Sequence, residues 1–355
     1  MTRKEFYSLT LKTVLPLMLQ SLLTSSVNFI DQIMVGKLGV SEIAAVGVAN
    51  KIYSLFYLVL YGTCCACVMF VSQYWGRKDV EGVRKIMGMT CSITVTLGVL
   101  VTLATLLFPR QCLSLFTPDT AVIDSGVGYL RAISASYLLL SFIYPINYLL
   151  RGQTRVGIVL ATAIGSVFMN IFANYAFIFG NFGMPRLNVG AAIGTVATRS
   201  VELTILIIYL IASRNEVIQD IRGMFRYKGH EFVTFIKKAL PLASNEFLWG
   251  IGTSVYLVVY GHMGTEELAA MSIMNTLQTM VQTFGLSLSS SAAVIVGNEI
   301  GKGNKKDVFV CGGRFHRLAV CMGAMVGLGL FALIFPITAA YSLTGTRTGM
   351  LLRET

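Results

Sequence analysis

Charge is scarce in this chain. Only 13% of its 355 residues are Asp, Glu, Lys or Arg, against roughly 25% in soluble domains, and that scarcity excludes an ordinary soluble globular protein. Histidine is scarcer still. His230, His262 and His316 are the only three, all at loops or at the ends of apolar runs and none in an H-E-x-x-H-like spacing, which argues against an intramembrane metal enzyme or any other enzyme. The seven cysteines include the run Cys64-Cys65-Ala66-Cys67, with no His or acid beside it and no zinc-like spacing. They read as small apolar packing residues and not as metal ligands or a disulfide framework. Acids are outnumbered, 17 to 28, yet the basic residues sit in short clusters between apolar runs. A continuous basic face is missing, and nucleic acid is excluded as a partner.

Hydrophobic sequence is what the chain has in abundance, at 55% of residues and a mean hydropathy of +0.70. A span of about 20 residues crosses a hydrocarbon core of roughly 30 Å. Apolar windows of that length lie at 14–35, 52–75, 88–108, 128–150, 158–179, 189–212, 239–260, 277–296 and 318–341. The expectation is an all-α, multi-pass membrane protein with nine transmembrane helices. The basic N-terminal segment 1–12 precedes an apolar run too long for a secretory leader, with no small-residue cleavage site after it, and reads as a retained signal anchor.

The first apolar run returns further along. A shift of 225 residues places Leu15, Pro16, Leu17, Leu23, Gly36, Gly39, Glu42, Ala44, Ala45 and Asn50 on identical residues, Leu240 through Asn275, and the register continues to Gly76 and Gly301. This is an internal duplication. With the N-terminus in the cytoplasm, Lys and Arg divide 20 inside to 7 outside, with Arg199 inside a span, as the positive-inside rule requires. Six spans separate the copies, so both begin on the same side and the repeat is parallel. The domains expected are an N-terminal six-helix lobe at 1–212, a cytoplasmic linker at 213–238 and an incomplete three-helix lobe at 239–355. Phe335-Pro336 answers Phe108-Pro109, and three helices of the second copy have no counterpart. The expectation is a shortened gene product or fragment, or a chain completed by a partner.

Several spans carry polar faces. Gln20, Thr24, Asn28 and Asp31 share one face of the first by helical spacing. A carboxylate at that depth costs about 2.5–3.5 kcal/mol if it faces lipid, so Asp31 must meet partners or water; it is a functional candidate, the alternative being a carboxylate that only ties helices together. Asn50, Tyr53, Tyr57 and Tyr61 share a face of span two, and Thr162, Ser166, Asn170 and Asn174 follow at intervals of four on span five. Glu246, Trp249, Thr253, Tyr256 and Tyr260 lie in one arc of span seven, and Asn275, Gln278, Gln282 and Ser289 on span eight. Together these faces suggest a lined cleft, with Gln20, Tyr53, Tyr57, Glu246, Trp249, Tyr256, Asn275, Gln278 and Gln282 as substrate contacts. Arg199 and Glu202, three apart on span six, are expected to form a structural pair that shields both charges from lipid.

The stretches FIDQIMVGKLGVSEIAAVGVA and VYGHMGTEELAAMSIMN, the span ends at Gln73/Gly76 and Asn298/Gly301, LLRGQTR after span four and GAAIGTVATR opening span six resemble the multidrug and toxic compound extrusion (MATE) family, bacterial branch. The resemblance implies two helical lobes around a cleft that opens alternately to each side, and export of organic cations driven by inward sodium or protons. It implies no cofactor beyond that coupling ion, H⁺ or Na⁺. Relatives bind the cation through an Asp on helix one, an Asn and an Asp four apart on helix five and a Thr on helix six. Here those positions read Asp31, Asn170, Asn174 and Thr195, with Asn28 one turn from Asp31. Oxygen ligands are kept with one negative charge fewer, and Asp31 is the one place where Na⁺ is expected as a metal.

The function expected is therefore an antiporter in the cell membrane, monomeric, N-terminus cytoplasmic, exporting amphipathic or cationic small molecules across the lipid bilayer. The alternatives are a lipid-linked oligosaccharide flippase of related architecture and an inactive truncated membrane protein. The charge split makes a direct prediction for intact cells on a cysteine-free background. A cysteine at Val80 is shielded from impermeant thiol reagent while one at Asn181 reacts; labelling at Val80 overturns the orientation.

Overall fold

The computed structural model describes residues 2–36, 40–179, 189–263 and 265–340. Within them the side chains at 27–36, 40–44, 178–179, 254, 257–258, 260–263, 265–270, 272–273, 275–277, 280, 330 and 333–340 lie outside the described set. In chain order the helices are α1 (Arg3–Gly36), α2 (Val40–Gly76), α3 (Val80–Leu107), the short α4 (Pro109–Ser114), α5 (Thr120–Gly152), α6 (Val156–Phe179), α7 (Gly190–Ala212), the short α8 (Ile221–Met224) behind a 3₁₀ turn, α9 (Gly229–Met263), α10 (Thr265–Gly301) and α11 (Lys305–Ala340). Among the described residues six helices, α1, α2, α3, α5, α6 and α7, are long and apolar enough to cross a membrane. The remaining long helices, α9, α10 and α11, stand where the last three spans were expected.

Local chemistry sets where these helices start and stop. Asp79 accepts from the Gly82 N–H and Asp119 from the Ala121 N–H, each satisfying a donor that the first turn of α3 or α5 leaves free. The stops of α2, α5 and α7 share one form. Lys78, Thr154 and Arg214 adopt positive φ, and the following N–H reaches back five residues, from Asp79 to Tyr74 O, Arg155 to Leu150 O and Asn215 to Leu210 O. These are left-handed caps that use up last-turn carbonyls without glycine.

Those stops meet at one end of the bundle. Asn298 Nδ2 of α10 donates to the Gly152 carbonyl at 3.3 Å, and Asn215 Nδ2 donates to Gln153 Oε1 at 2.8 Å. Two glycines 225 residues apart in the duplicated register pack reciprocally. A β-carbon at Gly76 would overlap the Asn298 carbonyl, and one at Gly301 would overlap the Gln73 carbonyl. Gly297 packs in the same way against Ser72, whose Oγ also reaches the Ala293 carbonyl at 3.4 Å. Side-chain-free positions let the two backbones approach, a device common where apolar lipid gives helices little reason to associate. Around this crossing α10 packs on α1 and α2, and α9 packs on α2.

The segment 213–238, expected as the cytoplasmic linker, packs on the helices before it. Asn215, Val217 and Met224 are buried, and Val217 and Met224 join Ile86, Leu206, Leu210 and Phe235 in one core cluster. Gly88 on α3 admits the Met224 carbonyl, where a β-carbon would collide. Ser92 Oγ and the Tyr227 hydroxyl are 2.9 Å apart, and Lys85 reaches Glu231 at 3.4 Å. The Lys228 backbone N–H, with the Lys85 ammonium nearby, holds the Glu231 carboxyl below the usual carboxylate range. The high charge of 213–238 hides a handful of apolar anchors that strap it against α3.

The crossing predicts a stability difference between two helical glycines. Gly301→Val overpacks the α2–α10 contact and costs about 1–3 kcal/mol, whereas Gly312, with no atom within 4 Å of an added β-carbon, tolerates valine. Thermal unfolding in detergent measures it, and equal shifts for the two variants contradict the close-packed crossing.

Candidate functional site

A cavity of about 660 Å³ opens within the first six long helices. Gln20 and Thr24 reach it from α1, Asn50 and Tyr53 from α2, Tyr129, Ser136 and Tyr137 from α5, Ser166 and Asn170 from α6, and Thr195, Thr198, Arg199 and Glu202 from α7. Within each set neighbours stand one, three, four or seven residues apart, spacings that keep them on one stripe of their helix, so one stripe of each helix faces inward. The opposite faces are apolar and exposed, as at Phe168, Phe172, Ile207 and Ile208. Polar stripe inward and apolar stripe outward is the arrangement a bilayer demands.

On the α6–α7 side, Asn174 Nδ2 donates to Asn170 Oδ1 at 3.2 Å, and Gly194 lets α7 approach until a β-carbon there would overlap Asn174 Oδ1. Thr195 and Thr198 hydroxyls donate back to the Ala191 and Gly194 carbonyls at 2.9 and 2.8 Å. Their lone pairs remain available as acceptors, so Asn170 and the threonines offer oxygen to a cation or water. Arg199 Nη1 donates to Glu202 Oε2 at 2.7 Å, with side-chain exposures of 25% and 8%. Two buried wall atoms, Arg199 Nε and Ser166 Oγ, have no hydrogen-bond partner among the described residues. An unmet buried polar group costs about 1–3 kcal/mol, so these two atoms stand out as vacant contacts.

A file of rings leads from the cavity towards the end where α2, α5 and α10 meet. Tyr53 stacks on Tyr57 at 6.0 Å, Tyr57 meets Tyr144 edge-on at 5.6 Å and Tyr61 at 5.6 Å, and Tyr61 meets Tyr148 at 6.3 Å. Arg151 lies 4.6 Å over the Tyr148 ring and donates to Gln20 Oε1 at 2.9 Å.

The structure brings together Gln20, Tyr53, Asn170, Thr195, Arg199 and Glu202 at one cavity, with Asn174 bonded to Asn170 and Tyr57 one ring along the file. The side chains of Asn28, Asp31 and Asn275 lie outside the described residues. Glu246 is half-buried, Trp249 and Tyr256 are 51% and 60% exposed, Gln278 is exposed and Gln282 half-buried; none of these is among the described wall residues. Tyr129, Ser136, Tyr137, Tyr144 and Tyr148 on α5 were not singled out in the sequence. Their repeat along one helix, ending at Arg151, was the available signal, missed because gaps of eight and seven residues separate Tyr129, Tyr137 and Tyr144, without the unbroken four-residue steps of Tyr53, Tyr57 and Tyr61 on α2.

The MatE family model matches the chain twice, at residues 16–176 and 241–349, and the two starts differ by the same 225 residues as the internal repeat. PmpM of Pseudomonas aeruginosa, named a multidrug resistance protein, is 25% identical over 318 residues, 88% of this chain and 65% of that protein. YoeA of Bacillus subtilis, named "Probable multidrug resistance protein", is 24% identical over 295 residues, 81% of this chain; the chain spans only 63% of its length. Among solved structures, MATE in the straight conformation superposes with a TM-score of 0.84 at 19% identity, over 98% of this chain and 76% of that one. MATE in the bent conformation superposes at 0.83 and 19%, over 98% and 77%. With matches over most of its length, this chain belongs to the MatE family of integral membrane proteins.

Proposed function

We propose that this chain is a multidrug efflux antiporter of the cell membrane, exporting amphipathic or cationic small molecules in exchange for H⁺ or Na⁺. The observation that carries the reading is the polar, tyrosine-lined cavity inside a shell of lipid-compatible helices. The named multidrug resistance relatives support it. A cavity of this kind supplies what a secondary transporter needs: apolar and ring surface for a hydrophobic cation, and a few placed polar groups to fix it. The flippase alternative calls for a strongly basic cleft, whereas the charged residues of the described wall are one arginine and one glutamate paired with each other.

In this reading 1–212 and 239–355 are two lobes of a parallel repeat joined by 213–238, with a cytoplasmic N-terminus, and α9, α10 and α11 also cross the membrane. The reciprocal Gly76 and Gly301 contacts support it, since a twofold axis along the bundle would relate each to the other. Asp31, two turns beyond Thr24 on α1, with Asn28, Asn170, Asn174 and Thr195, is the coupling site. Proton, sodium and cationic substrate compete for its carboxylate. Its affinity for the ion differs between the two access states, and that difference is what converts an ion gradient into export.

Asp31→Asn keeps the shape of the side chain and removes its charge. In proteoliposomes under an imposed pH or sodium gradient the variant inserts and binds substrate but loses gradient-driven efflux. Efflux at the wild-type rate overturns the assignment. Glu246→Gln weakens binding of a cationic substrate more than of its neutral analogue, because only the cation gains Coulomb energy; equal effects in equilibrium binding assign Glu246 a purely structural role.

A further inference from the structure

We propose that Arg199 makes the first-lobe cavity selective for zwitterions, binding the carboxylate of a substrate whose cationic or aromatic end rests on the tyrosine wall. The inference rests on the efflux reading above and specifies the substrate class for the same cavity. Arg199 was expected to form a structural pair with Glu202, and that pairing occupies just one of its edges. Nη1 donates to Glu202 Oε2, while among the described residues Nε is buried without a partner and Nη2 makes no hydrogen bond. A guanidinium presents five N–H donors in a fixed plane, and its Nε and Nη2 edge matches the two oxygens of a carboxylate. That edge is vacant here.

The surroundings suit such a ligand. Arg199 lines the cavity together with Ser166, whose buried hydroxyl also lacks a partner among the described residues and can donate to an anionic group. Tyr53 and Tyr137 line the same space and offer ring faces to a cation. Glu202 stays hydrogen-bonded at Nη1 and neutralises Arg199 when the cavity is empty. A charge pair that served only to hide from lipid needs no spare donor edge on the wall of a polar cavity. A substrate carboxylate in the cavity supplies the acceptor that the guanidinium edge lacks, and the Ser166 hydroxyl is a second donor on the same wall.

Rhodamine B, with a free carboxylate, and its ethyl ester, the same aromatic cation without one, separate the proposal from the general reading. Fluorescence binding to the purified full chain in nanodiscs measures both probes. Arg199→Gln weakens the acid about tenfold or more, the size expected for charge-assisted hydrogen bonds, and leaves the cationic ester bound no more weakly than to wild type, since Glu202 keeps its charge. Ser166→Ala weakens the acid in the same direction by less. Retained ester binding shows that each variant is folded. Should Arg199→Gln fail to fold, Arg199→Lys keeps the charge and loses the planar edge, and it too weakens the acid alone. Equal losses for acid and ester, or no loss for the acid, overturn the zwitterion proposal while leaving the efflux reading intact. Failure of wild type to bind either probe counts against the efflux reading itself and the proposal with it.

Discussion

Lipid has no hydrogen bonds to give, and the rest of this structure follows from that constraint. Backbone groups are satisfied within helices, and side-chain polar groups must find partners inside the bundle or gather around shared water. Many of the serines and threonines take the first course, bonding back to carbonyls three or four residues earlier, as Thr90, Thr94 and Thr198 do. The longer polar side chains take the second. Gln20, Asn50, Asn170, Arg199 and Glu202 converge on one cavity, because every other direction from their helices ends in hydrocarbon.

Helix association needs a second device, since apolar surface gains little by leaving lipid. Small residues serve it. Gly62 receives the Ala243 backbone, Gly98 the Ser141 side chain, and Gly76 and Gly301 each receive the other helix's carbonyl. The last two join the chain's beginning to its end, α2 to α10, at the place where the caps of α5 and α7 are also tied by Asn298, Gln153 and Asn215. One end of the bundle is thus tightly bonded, and the polar cavity lies within the helices beyond it.

Much of this was legible from residue order alone. Long apolar runs fixed the positions of α1, α2, α3, α5, α6 and α7, because a hydrocarbon slab demands length and tolerates few charges. Spacing of four placed Ser166 and Asn170 on one stripe of α6, and both line the cavity. Other features were hidden for physical reasons. Tyr129 and Tyr137 stand eight residues apart on α5, without the close four-residue steps that marked Tyr53, Tyr57 and Tyr61, so the wall contributed by α5 went unseen. The charged segment after α7 looked like a tether, yet two buried side chains, Val217 and Met224, suffice to dock it. Thr162 shares the spacing of Ser166 but is fully buried away from the cavity, since a helix stripe meets neighbouring helices over part of its length and open space over the rest.

The central claim is that the inward stripes enclose a watery, substrate-binding space while the outward ones meet lipid. Cysteine accessibility tests it most directly, with single cysteines replacing Thr195 on the wall and Phe168 on the outer face of α6 in a background freed of the seven native thiols. A water-soluble, membrane-impermeant maleimide applied to proteoliposomes holding both orientations should label Thr195→Cys, with protection by a transported cation, and spare Phe168→Cys, which reacts only with a lipid-soluble reagent. An inert Thr195→Cys, or rapid aqueous labelling at Phe168→Cys, would contradict the account.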